Sequence, residues 1–211
     1  VFSSIEAGLE LRLPPGRRLK GEELGSDPHL LAAVVNEAHG GRFELRRLPL
    51  NTPMDVSTTE TPEGGQRRGL LDILAEETLA ETNGTLLRKD PIPLGDADAG
   101  IYALHYTLGL TSLLRQTALI KAGDTLYYDL TLTTPAPESA EDLDSDPAIR
   151  SAVTVFSDTV NSFQALDQTQ LRNEQEERLY PGRASGRHRH HRASHFDPAA
   201  EPPKGARRGE E

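Results

Sequence analysis

The sequence predicts an α+β domain in which two main helices cover an antiparallel sheet of about six strands. Two observations carry this prediction. Several separate segments alternate apolar and polar residues with the period of two that is typical of half-buried strands. Two other segments carry apolar stripes at helical spacing. The 211 residues suit one domain with appendages, predicted here as a domain over 1–166, a C-terminal helix over 167–180 and a disordered tail over 181–211.

The first strand is predicted over residues 5–13, and its apolar positions are Ile5, Ala7, Leu9, Leu11 and Leu13. The Pro-Pro-Gly sequence that follows supplies turn chemistry. The continuous apolar run over 30–35 is typical of a central strand. Two glycines then turn the chain into a strand-like segment over 42–50, so these two segments are predicted to form a hairpin.

The first helix is predicted after a loop over 51–65 that is rich in proline, glycine, serine and threonine. The stripe on its buried face consists of Leu70, Leu71, Leu74, Ala75 and Thr78/Leu79. Asn83-Gly84 is the expected stop signal, because glycine accepts the left-handed conformation that follows the last helical turn.

An antiparallel meander is predicted over 100–108, 113–121 and 125–133, because each segment has strand length and turn residues separate the segments. The second helix follows an acidic loop. Asp146 is the predicted N-cap and Pro147 the first helical residue. The predicted buried face is Ile149, Ala152/Val153, Phe156, Val160 and Phe163. Both helices are predicted to cover the sheet.

The C-terminal region is predicted to be a weakly packed helix over 167–180 and a disordered tail beyond it. Asp167 and Gln170 resemble a capping box, whereas the residues from Pro181 onward have no periodicity and are mostly proline, glycine, arginine and histidine. The tail holds seven Lys/Arg and four Asp/Glu, which gives it a net charge of +3. Because the whole chain has a net charge of −10, residues 1–180 have a net charge of −13.

The composition excludes several classes of function. A body this acidic repels phosphate, so the domain itself is not expected to bind nucleic acid. The chain has no cysteine, which excludes disulfides, thiolate nucleophiles and cysteine-ligated zinc. No stretch approaches the roughly 20 apolar residues of a membrane span. A cytoplasmic location is expected for the sequence as it stands, and a removed leader would allow a periplasmic or membrane-anchored one.

The sequence carries no catalytic motif, so we expect no enzyme and no cofactor. It has no phosphate-binding loop, dinucleotide fingerprint or zinc-protease motif. His188, His190, His191 and His195 form the most conspicuous cluster of metal-ligand residues. Interleaved arginines would repel a cation there, and a disordered segment offers no fixed geometry, so a biological metal site is not predicted.

Three segments resemble the PsbP/DcrB-like superfamily, which has a Mog/PsbP-type fold. Residues 8–16 read GLELRLPPG, residues 121–135 read KAGDTLYYDLTLTTP, and the second helix ends VNSF at residues 160–163. The resemblance covers about residues 2–163. It implies an α/β/α sandwich and mostly non-enzymatic roles, as photosystem accessory subunits, small lipoproteins or chaperones of secreted toxin effectors.

The leading functional hypothesis is a binding or accessory protein that contacts a protein partner through its sheet face or its C-terminal extension. A chaperone would need an open apolar sheet face, and the candidate residues for it are Tyr102, Leu104, Tyr106 and Leu108. Two alternatives remain. One is a structural subunit held in an assembly by residues 167–211, and the other an enzyme whose site gathers scattered residues such as His105, Glu76 and Tyr128.

Overall fold

The computed structural model describes residues 1–4, 7–25, 27–37, 40–60 and 64–166. All of them belong to one compact unit, Val1–Arg172. The helix predicted over 167–180 and the tail predicted over 181–211 lie outside the described residues, so both stay predictions.

The described chain folds into the α+β architecture that the sequence predicts. Its elements in chain order are β1 (Phe2–Ser4), β2 (Leu9–Leu11), β3 (Arg17–Arg18), a 3₁₀ helix (Gly21–Leu24), β4 (Leu30–Asn36), β5 (Gly41–Pro49), β6 (Thr59–Glu60), β7 (Gln66–Arg67), α1 (Leu70–Thr82), β8 (Thr85–Pro91), β9 (Ala99–Leu108), β10 (Thr111–Lys121), β11 (Leu126–Pro135), a second 3₁₀ helix (Ala140–Asp142), α2 (Pro147–Asn161) and β12 (Gln164–Ala165). The meander and both helices therefore lie where the pattern places them.

The main sheet has seven strands, in the order β3-β4-β5-β11-β10-β9-β8, and all of its pairs are antiparallel. The prediction of about six strands missed β8 and the two-residue β3, and the strand predicted over 5–13 lies in a separate sheet. All seven residues of β8 are exposed, so no alternation of buried and exposed residues marks it in the sequence.

The two helices pack on opposite faces of this sheet, which gives the α/β/α sandwich. Phe156 of α2 lies in a core cluster with Phe43 and Leu130. Leu71 of α1 lies in a second cluster, whose sheet members are Tyr102, Leu104, Leu119 and Tyr127. Because successive strand residues point to opposite faces, even-numbered residues of β9 face α1 and odd-numbered ones face the α2 side.

The first strand differs from its prediction. Residues 5–13 were expected to form one strand, but the chain makes a hairpin in which Phe2 of β1 lies opposite Leu11 of β2. Gly8, with φ 72°, belongs to the connecting turn. Ala7, Leu9 and Leu11 are all buried, but Ala7 lies in the turn and only Leu9 and Leu11 lie in the strand β2.

The helix ends follow local capping chemistry. Asp146 caps α2 as predicted, since its Oδ1 accepts hydrogen bonds from the backbone N–H of Ala148 at 2.7 Å and of Ile149 at 3.1 Å. At the end of α1, Asn83 and not the expected Gly84 adopts the left-handed conformation, with φ 50°, which asparagine tolerates. Gly84 instead allows the backbone to lie close to β9, since a Cβ there would be only 2.9 Å from the carbonyl oxygen of His105.

Candidate binding surface

The four residues proposed to contact a partner lie on the same face of β9 but in two different environments. Tyr102 is 1% exposed and Leu104 is 0% exposed, and both are in the cluster that α1 covers. Tyr106 is half-buried and Leu108 is 70% exposed. The expected open apolar face is therefore wrong for Tyr102 and Leu104, because α1 packs on them.

The division arises because β9 continues past the end of α1. The helix ends at Thr82, and the chain turns into β8, whose first residue pairs with His105. Gly84 in that turn lies against the side chain of Tyr106. Tyr106 and Leu108 thus lie beyond the turn that follows the helix.

A small apolar surface forms at this end of the β9–β10 hairpin. Leu113 of β10 lies directly opposite Tyr106, so the two side chains share a face. Leu110 in the connecting turn is fully exposed. We name Tyr106, Leu108, Leu110 and Leu113 the hairpin-end surface. Apart from the terminal Val1, Leu108 and Leu110 are the most exposed large apolar residues in the described part of the chain.

Charged residues occupy the same sheet face next to the hairpin-end surface. Arg115 follows Leu113 on β10, and β5 contributes Arg42, Glu44 and Arg46, as the strand register shows. Glu44 makes ion pairs of 2.7 Å with both β5 arginines. We name these four residues the charged strip. The open sheet face expected of a chaperone is apolar, so that form of the binding hypothesis is wrong here.

Arg115 is the charged residue whose hydrogen bonding is incomplete. Its Nε is buried and has no hydrogen-bond partner among the described residues. A buried N–H without an acceptor destabilises a protein unless water or another molecule supplies one. This donor lies beside Leu113, at the boundary between the charged strip and the hairpin-end surface.

A buried carboxyl lies near the charged strip. Burial raises the pKa of Asp129, while a hydrogen bond from Thr131 and the positive charges of Arg115 and Arg46 oppose that rise. The Thr131 hydroxyl donates to Asp129 Oδ1 at 2.6 Å and lies 2.9 Å from the Thr117 hydroxyl. This network joins β10 to β11 on the same sheet face as the charged strip.

The structure does not gather the residues of the enzyme alternative. The Nε2–H of His105 donates to the carbonyl oxygen of Pro137 at 2.9 Å, and the Tyr128 hydroxyl donates to the carbonyl oxygen of Ala7. Glu76 makes an ion pair with Arg68 on the exposed side of α1. The β10 partners of the histidine and the tyrosine are six residues apart, which is about 20 Å along a strand. These residues do not form one site.

The metal candidates His188, His190, His191 and His195 lie outside the described residues. Within the described ranges, no group of three His, Asp or Glu side chains could hold a metal ion. Likewise, none of the described helices has the length and apolar character needed to cross a membrane.

Comparison with solved structures places the fold in a known class, the Mog1-like α/β/α sandwich. The crystal structure of the Ran-binding protein Mog1p from Saccharomyces cerevisiae matches 77% of this chain and 93% of that protein, with 15% identity and a TM-score of 0.53. A Mog1 point mutant matches 78% and 94%, with 15% identity and a TM-score of 0.52. The two Mog1 structures confirm the Mog/PsbP-type fold predicted from the sequence.

The other comparisons add little. The solution structure of cyanobacterial PsbP (CyanoP) from Synechocystis sp. covers 78% of this chain and 90% of that one, with 10% identity and a TM-score of 0.48. No family model matches the sequence, and no curated protein matches it. Likeness at this level of identity defines the fold alone.

Proposed function

We propose that this protein is a non-catalytic binding protein that contacts a protein partner through the hairpin-end surface. The observation that supports this most is the exposure of Leu108, at 70%, on a face that it shares with Tyr106 and Leu113. Single exposed leucines are common on protein surfaces, whereas grouped ones mark interaction sites.

The chemistry of this surface suits an interface. Burying one exposed leucine contributes about 1.5–3 kcal/mol, and tyrosine is enriched among the residues that dominate binding energy.

The hairpin also presents the surface in a fixed arrangement. β9 and β10 pair continuously from Ala99 and Ile120 to Leu108 and Thr111. A surface held by such a ladder loses little conformational entropy on binding, and preorganisation of this kind favours affinity.

The fold supports the same proposal by analogy only. Mog1p, which shares this fold, is a Ran-binding protein by name. A fold hosts many functions, so the surface itself must identify the partner.

The test is affinity capture from native lysate with the full chain and two matched variants. Leu108→Glu places a charge on the hairpin-end surface. Thr107→Glu places the same charge on the neighbouring exposed residue, which points to the opposite face. A specific protein retained by the wild type and by Thr107→Glu but lost with Leu108→Glu would support the proposal. Equal retention by all three would contradict it.

A version ending at Leu166 separates the domain from the C-terminal extension. Retention of the same protein by this version would support binding through the domain. Its loss would move the function to residues 167–211 and favour the structural-subunit alternative.

A further inference from the structure

The exposed apolar residues of the described chain collect at one corner of the main sheet. Apart from the terminal Val1, the large apolar residues that are exposed are Leu86, Leu87, Leu108 and Leu110. Thr85 pairs with His105, so the start of β8 lies beside the last part of β9 and brings Leu86 and Leu87 to the same corner as the hairpin end. We name these four leucines the leucine corner.

An acidic loop is fixed against the same hairpin. It covers residues 136–146, between β11 and α2, and it contains five Asp/Glu and no Lys or Arg. The backbone N–H of Ala136 donates to the carbonyl oxygen of Ser112 at 2.9 Å, and Leu143 shares a core cluster with Ala103 and Leu114. Hydrogen bonding and burial therefore both hold this loop at the hairpin end.

Most carboxylates of the acidic loop face water and have no cationic partner. Four of them are exposed, those of Glu138, Glu141, Asp142 and Asp144. None of the four forms an ion pair with another described residue. Their negative potential extends over about a Debye length, which is about 8–10 Å at physiological ionic strength.

The C-terminal end of α1 adds negative charge on the opposite face of the sheet. Glu81 is exposed, the last turn of α1 contains no basic residue, and the carbonyl groups at a helix C-terminus carry a partial negative charge. The turn that follows lies against Tyr106. Two arginines lie near the corner, but Arg88 is paired with Asp90 at 2.9 Å and Arg115 is half-buried. The leucine corner therefore lies between two acidic regions.

We propose that the partner of the hairpin-end surface presents an apolar segment flanked by lysine or arginine. This inference rests on the proposed function, since it names the chemistry of the partner that the surface binds. Burial of the exposed leucines supplies the affinity. The carboxylates on both sides speed the encounter with a basic segment, and they disfavour an acidic one because like charges would meet at the rim.

The first part of the test measures the binding of short fluorescent peptides to the full chain by anisotropy. The lysine peptide has a leucine-rich centre flanked by lysines. A second peptide has glutamates in place of the lysines, and a third has serines in place of the leucines. The lysine peptide should bind saturably and more weakly as salt is added, and each of the other two should bind about tenfold more weakly or worse.

The second part locates the interaction with two matched double variants. Glu138→Gln with Glu141→Gln removes two exposed carboxylates of the acidic loop. Asp96→Asn with Asp124→Asn removes two exposed carboxylates at the other end of the sheet, about 30 Å away along β9. Both double variants change the net charge by the same amount. The first should weaken the lysine peptide by about three- to tenfold, and the second should leave its affinity unchanged.

Several results would overturn the inference. They are an absence of binding of the lysine peptide, equal affinities of the lysine and glutamate peptides, or equal effects of the two double variants. Self-association of the full chain that is lost in Leu108→Glu would also overturn it, because a second copy would then occupy the corner. These results concern only the chemistry of the partner. The proposed function fails separately, if capture of a protein from lysate does not depend on Leu108.

Discussion

Leu104 and Leu108 provide a direct test of how α1 divides the sheet face. The two leucines lie on the same strand and the same face, and they are 0% and 70% exposed, respectively. Leu104 contacts the cluster that contains Leu71 and Ala75 of α1. The perturbation is the same truncation, leucine to alanine, at each position.

The expected losses of stability differ by several kcal/mol. Leu104→Ala removes fully buried atoms and leaves a cavity, which destabilises by about 2–5 kcal/mol. Leu108→Ala removes atoms that are mostly in water already, so its free energy of unfolding should fall by less than about 1 kcal/mol. With a denaturant slope of about 2 kcal/mol/M, the first variant should lower the urea midpoint by about 1–2.5 M.

The assay is urea unfolding of the full-length wild type and both variants, followed by circular dichroism. If Leu104→Ala does not fold, Leu104→Val offers a milder change with an expected loss of about 1 kcal/mol. Small and equal shifts for the two alanine variants would refute the position of α1 over Leu104. A large shift for Leu108→Ala would refute the open surface.

Three further predictions test other parts of the molecule. Asp146→Ala should destabilise the domain by about 1 kcal/mol in thermal or urea unfolding, because it removes the N-cap of α2. The control Asp144→Ala, at an exposed residue of the preceding loop, should leave the stability unchanged. Equal effects of the two variants would contradict the role of Asp146 as the N-cap. Burial raises the folded-state pKa of Asp129 above its unfolded value of about 4, so the native state binds the proton more tightly. The stability that this proton binding contributes is fully present below the unfolded pKa and is lost as the pH rises through the folded pKa. Urea unfolding at a series of pH values should therefore show the wild type losing stability relative to Asp129→Asn as the pH rises, and parallel profiles would refute this. Gly100→Ala would place a Cβ 2.7 Å from a leucine side chain of α1 and should destabilise the domain by about 1–3 kcal/mol. In the control Gly123→Ala, the new Cβ has its nearest neighbour at 3.7 Å, so the stability should hardly change. Similar urea midpoints for the two variants would contradict the packing of α1 on β9.

The sequence predicted those parts of the fold whose cause is local. The meander follows from alternation and turn residues, and the N-cap of α2 from one aspartate before a proline. The exposed strand β8 leaves no such signal, because burial on neither face imposes a pattern. The hairpin of β1 and β2 was also missed. Apolar residues continue at every second position from Ala7 to Leu11, so the alternation gives no sign of the turn at Gly8.

The candidate surface depends on information that alternation does not contain. Tyr102, Leu104, Tyr106 and Leu108 form one continuous pattern, and only the position at which α1 ends relative to β9 separates the buried pair from the open one. The charged strip is likewise spread over two strands that are far apart in sequence. Its members share one sheet face because β11 pairs with both β5 and β10, and strand register of this kind is not encoded in any single segment.

Hydrogen exchange of the full chain, with and without the captured partner, tests the proposed binding surface most directly. We expect the partner to slow exchange of the amides around Leu108, Leu110 and Thr111, where the hairpin is exposed in the free protein. Protection confined to β8, to α2 or to residues 167–211 would contradict binding through the hairpin-end surface.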